Sequence, residues 1–374
     1  MEIPRNEIVQ NLVDAAINYL KNIKPGDSVT IIHGHDNDSI CSAAIMYKLI
    51  KQISKKDPKL FMTEENFSVN EVDAKKIVKT KSKFFIVLDL SEIRVDVETD
   101  LAKAGDVMII DHHKPKGYAR SAYLNPRTYD KEIYLPTTYM CYKIFESYYD
   151  PKEIIWIAGV GTLSDMGMKY ALDLFQKILL VEKDLVSGSK PVDEDLFDKS
   201  QLGKLAKILD SARVIKGVAG AQLALKVLLS TDYKDVLNKK TADSKKLLTY
   251  FESVDKEFKK IVANFNKNKK EIKNFLIYEI KSKMNLKSPI ASYLPKFFDD
   301  KILIIMQKEN KMMNVSYRRG KKVNLDLSDL AQALVKDIPN SNGGGHPQAA
   351  GGGFPAKYIK DFMKNLTEVA LVQK

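Results

Sequence analysis

Residues 28–54 read SVTIIHGHDNDSICSAAIMYKLIKQIS. The opening seven residues are mostly apolar and β-branched, which predicts a short buried strand over 28–34. From Ser39 the apolar residues recur at spacings of three and four, which predicts a helix over 39–53. Between the two lies HGHDND, with His33, His35, Asp36 and Asp38 at the point where strand gives way to helix. If that junction is extended, the spacing of two turns both carboxylates the same way.

Two further runs repeat the pattern. FFIVLDL (84–90) places Asp89 after a buried-type strand, and DVMIIDHH (106–113) places Asp111, His112 and His113 after another. Continuous rather than alternating hydrophobicity predicts a parallel sheet covered on both faces. In such sheets ligands bind beyond the carboxyl ends of the strands, where His33, Asp36, Asp38, Asp89, Asp111 and His112 would gather. Asp165 follows WIAGVGTLS at an expected helix–loop junction. All five histidines fall in three short motifs, the last being His346 in GGGHPQAAGG. Taken singly, an aspartate after a strand is often only a helix cap. Grouped at strand ends with imidazoles, these residues indicate a site. Hard carboxylates mixed with imidazole suit Mn2+ or Mg2+, and Cys41 and Cys141 are not arranged to select zinc. Converging acids need cations between them, and two ions sharing a carboxylate are a usual device for phosphate hydrolysis.

From about Tyr139 to Asn274 the pattern is helical, as in LGKLAKILDSARVIKGVAGAQLALKVLL. Residues 245–274 predict a long, highly charged helix of the kind that connects domains. FLIYEIKS, KILIIMQK and MMNVSYRR then read as strands, LSDLAQALVKDI as a helix, followed by a glycine-rich turn and a last helix from Lys357. The expectation is an α/β protein: a catalytic domain over 1–240 including a helical part over 139–240, a connector over 241–274, and a smaller α+β domain over 275–374. In the last of these, the backbone amides of Gly343, Gly344 and Gly345 can approach an anion closely. His346 and Arg318 would add charge-assisted hydrogen bonds.

The net charge of +12 points to a polyanionic partner once a phosphate-handling site is in hand. No stretch approaches the roughly 20 apolar residues of a membrane span, so no membrane partner is expected. The amino terminus lacks the apolar core of a secretory leader. Two cysteines without a CxxC fit a reducing, cytoplasmic setting.

HGHDNDSICSA, LDLS, IIDHH and GVGTLSD, in that order, resemble the four motifs of the DHH phosphoesterase superfamily, and SYRRG with NGGGHPQAAGG resembles its DHHA1 companion domain. The resemblance covers residues 25–170 and 300–355; the helices between carry no assignable motif. It implies two divalent cations, manganese in preference to magnesium. His33 or His35, with Asp36 and Asp89, would hold one, while Asp38, Asp89, His112 and Asp165 hold the other. His113 would face the scissile phosphate and Asp111 would orient a ligand imidazole. Gly343 to His346 and Arg318 would grip substrate phosphates. Two departures stand out. The first motif matches neither H-x-D-x-D-G nor H-x-x-x-D-x-D, which leaves His33 and His35 both open, and Ser39 replaces the common glycine. DNDSICSA resembles the manganese pyrophosphatase branch, against which the carboxy-terminal glycine motif speaks.

The implied activity is that of an exonuclease on single-stranded DNA or RNA, similar to archaeal RecJ-like proteins, with the strand threaded in a groove between two domains. The basic charge and the lysine-dense connector favour a polymer. The alternatives are a phosphodiesterase of short oligonucleotides, cyclic dinucleotides or bisphosphorylated nucleosides, and a non-catalytic scaffold. A replication or repair helicase complex is a partner expected at the level of the family.

Overall fold

Strand β1 (Val29–His33) is buried along its whole length, as continuous hydrophobicity requires of a strand covered on both faces. It belongs to a computed structural model that describes residues 4–65, 68–115, 121–187 and 193–372. Its contacts divide the chain into two units, Met1–Phe251 and Glu252–Lys374.

In the first unit β1 is joined by β2 (Lys59–Met62), β3 (Phe84–Leu88), β4 (Asp106–Ile110) and β5 (Ala122–Leu124) in the order β2-β1-β3-β4-β5, every pair parallel. Successive residues point to opposite faces. Ile31, Ile86, Leu88 and Ile110 enter a large core with helices α1 (Arg5–Leu20), α2 (Asn37–Ser54), α5 (Thr137–Glu146) and α6 (Ile155–Ser164). Ile32, Phe85, Val87 and Ile109 enter a smaller one with α3 (Glu71–Val78) and α4 (Val95–Ala104). The helical stretch without motifs forms α7 (Leu172–Val181), α8 (Asp193–Lys199), α9 (Gln201–Lys216), α10 (Val218–Ser230) and α11 (Tyr233–Leu237).

Helix α2 begins sooner than its apolar periodicity suggests. Asp36 is its N-cap, its carboxylate accepting from the Ser39 amide at 3.0 Å, so Asp38 lies in the first helical turn. The extended reading of HDND is therefore corrected: a capping carboxylate starts the helix immediately after the strand. The long charged segment is α12 (Ala242–Asn268), and the residues after it turn into a strand, β6 (Lys270–Ile272).

The second unit continues with β7 (Phe275–Ile280), α13 (Lys287–Tyr293), β8 (Ile302–Glu309), β9 (Met312–Arg319), α14 (Leu327–Val335), β10 (Asn342–His346), β11 (Ala349–Pro355) and α15 (Ile359–Val372). The sheet order is β10-β11-β9-β8-β7-β6, with only the β7–β8 pair parallel. The glycine-rich segment is thus a β-hairpin rather than a turn. Packing is the reason: a Cβ on Gly343 would lie 2.5 Å from the carbonyl oxygen of Ala331, so a bare strand is what lets α14 come so close. Among the described residues no helix is long and apolar enough to cross a membrane.

Helix α6 decides where Asp165 stands, because Asp165 is its C-cap. The helix is buried from Ile155 to Leu163, and it meets α2 and α5 at Gly161, where a Cβ would lie 2.3 Å from Thr138 Oγ1 and 2.7 Å from Cys41 Cβ. Gly161→Ala should therefore overpack this junction and cost about 1–3 kcal/mol in urea denaturation. A change within about 0.5 kcal/mol, the size usual for a surface substitution, would contradict the close packing.

Candidate metal centre

Strands β1, β3 and β4 end level, with His33 opposite Leu88 and Leu88 opposite Ile110. The residues that follow leave the sheet at its carboxyl edge, where Asp89 donates its amide to Ile110 and Asp111 donates its amide to Leu124. Asp89 holds φ at 58°, a left-handed conformation that aspartate tolerates better than most residues. Such backbone costs about 1–3 kcal/mol and tends to cluster at functional sites.

At this edge three carboxylates converge on one imidazole. His112 Nε2 lies 3.4 Å from Asp89 Oδ1, 3.4 Å from Asp165 Oδ2 and 3.8 Å from Asp38 Oδ2. Two triads, Asp38–His112–Asp165 and Asp89–His112–His113, bring their ligand atoms within 4.8 Å of one another. Asp38, Asp89 and His112 are each at most 4% exposed.

Each carboxylate is held by neighbours. Asp38 accepts the amides of Thr137 at 2.9 Å and Thr138 at 2.8 Å, the positive end of α5. Asp89 takes the Ser39 hydroxyl on Oδ2 at 2.6 Å and the Thr137 hydroxyl on Oδ1 at 3.2 Å. Tyr134 donates to Asp165 Oδ2 at 2.6 Å and presents its ring edge-on to His112. Asp111 pairs with His113 Nδ1 at 2.7 Å, and Asn125 donates both to Asp111 and to the His113 carbonyl.

Burial, and then the neighbouring carboxylates, push Asp38 and Asp89 well above the usual carboxylate range, and burial raises Asp165 as well. These shifts describe a cluster short of positive charge. A cation with about 2.0–2.1 Å bonds and octahedral geometry sets adjacent ligand atoms about 3 Å apart. The separations around His112 need to contract by less than an ångström to match, so the donor set fits a hard divalent ion. His33 is fully buried; Gly34 O accepts from its Nδ1 at 2.7 Å, while its Nε2 is buried without a hydrogen-bond partner. That bond selects the Nδ1–H tautomer and leaves the Nε2 lone pair free for a ligand. Burial lowers its pKa to about 4, so it is neutral at physiological pH.

The structure brings Asp38, Asp89, His112, His113 and Asp165 together, with Asp111 bonded to His113. His33, His35 and Asp36 lie outside the two triads, although the charge of Asp36 is felt at Asp89 and Asp165. Arg318 is on β9 of the second unit, its Nη1 donating to the Tyr317 carbonyl at 2.8 Å, and Gly343, Gly344 and Gly345 form part of β10. The His346 side chain lies outside the described residues. Sequence reasoning missed Thr137, Thr138, Tyr134 and Asn125, which lie in no motif. It also missed Arg213 on α9, which chelates Asp210 at 2.6 and 2.9 Å and whose charge reaches His35 and Asp36. A polar pair such as Thr137–Thr138 at a helix start was the one available signal.

A model of the DHH family N-terminal domain matches residues 28–164, and a model of the DHHA1 domain matches residues 273–371. The chain belongs to the DHH superfamily. Its fold is similar to RecJ of Thermus thermophilus in complex with Mn2+, at 15% identity and a TM-score of 0.71, covering 99% of this chain and 55% of that one. The DHH chain thus spans about half the length of that RecJ. It is also similar to an exonuclease RecJ bound to manganese (15% identity, TM-score 0.69, 97% and 95% covered). A third likeness is a DHH domain described as a member of a family of ribosomal proteins (16% identity, TM-score 0.74, 100% and 93% covered). No curated protein sequence matches the chain.

Ser39 stands where a hydroxyl can fix the Asp89 carboxylate, so Ser39→Ala should weaken Mn2+ binding by about 10–100-fold, the usual cost of losing such support. Calorimetric affinities within about twofold of the parent would refute that role. His113 offers a pH signature. Burial works against its charge but is outweighed by the Asp111 bond and the attraction of Asp89, Asp111 and Asp165, which raise it from 6.5 to about 10, while Asp111 is lowered. The folded state therefore binds the extra proton between pH 6.5 and 10, so this pair's stabilisation is complete below 6.5 and fades as pH rises through 10. In metal-free protein Asp111→Asn should accordingly destabilise more at pH 6 than near pH 10. Equal losses at both pH values would show that the pair is not ionised as described.

Proposed function

We propose that this protein is a manganese- or magnesium-dependent phosphodiesterase, an exonuclease acting on single-stranded DNA or RNA. The observation that carries the reading is the convergence of Asp38, Asp89 and Asp165 on His112 Nε2 at 3.4–3.8 Å in a buried site. In this reading Asp38, Asp89, His112 and Asp165 hold one cation. Asp89 would also serve a second, together with Asp36 and a histidine of the first motif, His33 or His35. Two divalent ions there would supply Lewis acidity, lowering the pKa of the attacking water and neutralising charge on the phosphate.

The chain's own groups do the rest. Asp111 fixes the His113 imidazole through Nδ1 and favours its protonated form, from which Nε2 could donate a charge-assisted hydrogen bond to a phosphate oxygen. Thr137, Thr138 and Ser39 hold the carboxylates in place before substrate arrives. By the resemblance, Gly343, Gly344, Gly345, Arg318 and His346 would grip substrate phosphates, the glycines through those amides that the β10–β11 ladder leaves open. Two of the similar structures, RecJ in complex with Mn2+ and an exonuclease RecJ bound to manganese, support the cation and the reaction class. The net charge of +12 supports a polymeric anion.

Digestion of end-labelled DNA and RNA strands alongside a labelled dinucleotide, with Mn2+ or Mg2+, tests this reading. Strands should shorten progressively, and Asp89→Ala should lower the rate by about three orders of magnitude or more, as expected when one member of a cooperating set is removed. Far faster turnover of the dinucleotide would instead mark a small-substrate phosphodiesterase. Absence of cleavage from every substrate would leave a non-catalytic scaffold.

A further inference from the structure

The second unit contains a groove of about 490 Å3 that no part of the metal centre explains. The volume falls within the range of about 300–1,000 Å3 usual for ligand sites. Its floor is apolar, from Ile261, Ile277, Met306 and Met363. On the α12 wall, Asn264 and Asn268 each donate Nδ2 to the backbone of their own helix, at 2.9 Å to Lys260 and to Asn264 respectively. Their Oδ1 acceptors remain available to amino groups such as those on base edges. On the opposite wall β6 pairs only with Phe275–Ile277 of β7, so among the described residues the outer edge at Glu279 has no strand partner.

Charge is what narrows the occupant. Residues 252–374 carry 23 Lys and Arg against 13 Asp and Glu, a net of +10 out of the +12 of the whole chain. At the groove itself Lys260 is paired with Glu257 at 3.6 Å, while Glu279 is the other acid on the lining. Lys270 and Lys281 also line it, both exposed, and among the described residues neither side chain makes a hydrogen bond or ion pair. Two uncommitted cations above an apolar floor flanked by amide acceptors suit a chain of bases and phosphates. A peptide pairing with the open edge would not call for them.

We infer that this groove is a binding site for single-stranded nucleic acid, separate from the metal centre, with Lys270 and Lys281 contacting phosphates. The inference rests on the exonuclease reading, since it supplies that enzyme with a second set of phosphate contacts, made by residues of the second unit. Single-stranded phosphate contacts contribute about 0.7 each to the slope of log affinity against log salt.

The test uses the full chain in EDTA, titrated by anisotropy against a labelled strand of about twelve nucleotides over a salt series. The substitutions are Lys270→Gln with Lys281→Gln, and a control pair Lys79→Gln with Lys152→Gln on exposed lysines of the first unit whose side chains, among the described residues, make no hydrogen bond or ion pair. The groove pair should flatten the slope by about 1.4, while the control pair should not alter the slope. Slopes that match between the groove pair and the parent overturn the groove, whatever the parent cleaves. A parent that binds the strand with the expected slope change but cleaves nothing sinks the exonuclease reading and keeps the groove. A parent that fails to bind the strand removes both.

Discussion

Three carboxylates gathered around one buried imidazole, Asp38 and Asp89 buried and Asp165 part-exposed, are the constraint on which the first unit depends. Removing carboxylates from water without paired positive charge is among the most costly arrangements a fold can contain. Here the cost is met partly by the chain itself, through the amides at the start of α5 on Asp38, the Ser39 and Thr137 hydroxyls on Asp89, and the Tyr134 hydroxyl on Asp165. Those hydrogen bonds orient the acids but add no net charge, and Asp38 and Asp89 remain shifted well above the ordinary carboxylate range. This geometry and donor set suit a divalent cation.

The surrounding fold follows from the need to hold these groups at one edge. A parallel sheet ends β1, β3 and β4 together, so segments far apart in sequence deliver His33, Asp89 and Asp111 to the same edge. Asp38 arrives because Asp36 caps α2 directly after β1. Asp165 arrives because α6 can press against α2 and α5 through a bare glycine. The left-handed backbone at Asp89 is a local cost accepted at the point where its carboxylate must emerge beside His112.

Much of this was legible in the residues. Continuous apolar runs ending on aspartate gave away β1, β3 and β4, because a parallel strand buried on both faces has no polar alternation to hide behind. The grouping of histidines with those aspartates pointed to the sheet edge where Asp38, Asp89, His112 and Asp165 gather. The expectation of an extended HDND failed because a local capping bond outweighs the strand's momentum. The hairpin of glycines was read as a turn because glycine's strand-forming role here is steric, set by how close α14 lies, and nothing local encodes that. Tyr134, Asn125 and Arg213 carried no signal, since their contacts exist only once distant segments meet.

The account comes down to whether the acids of the first unit share paired cations. Crystals soaked in Mn2+ and measured at the manganese absorption edge address this most directly. Two anomalous peaks are predicted, both within bonding distance of Asp89, one also touching Asp38, His112 and Asp165. A map with no peak there, or with a single ion that does not contact Asp89, would contradict the account.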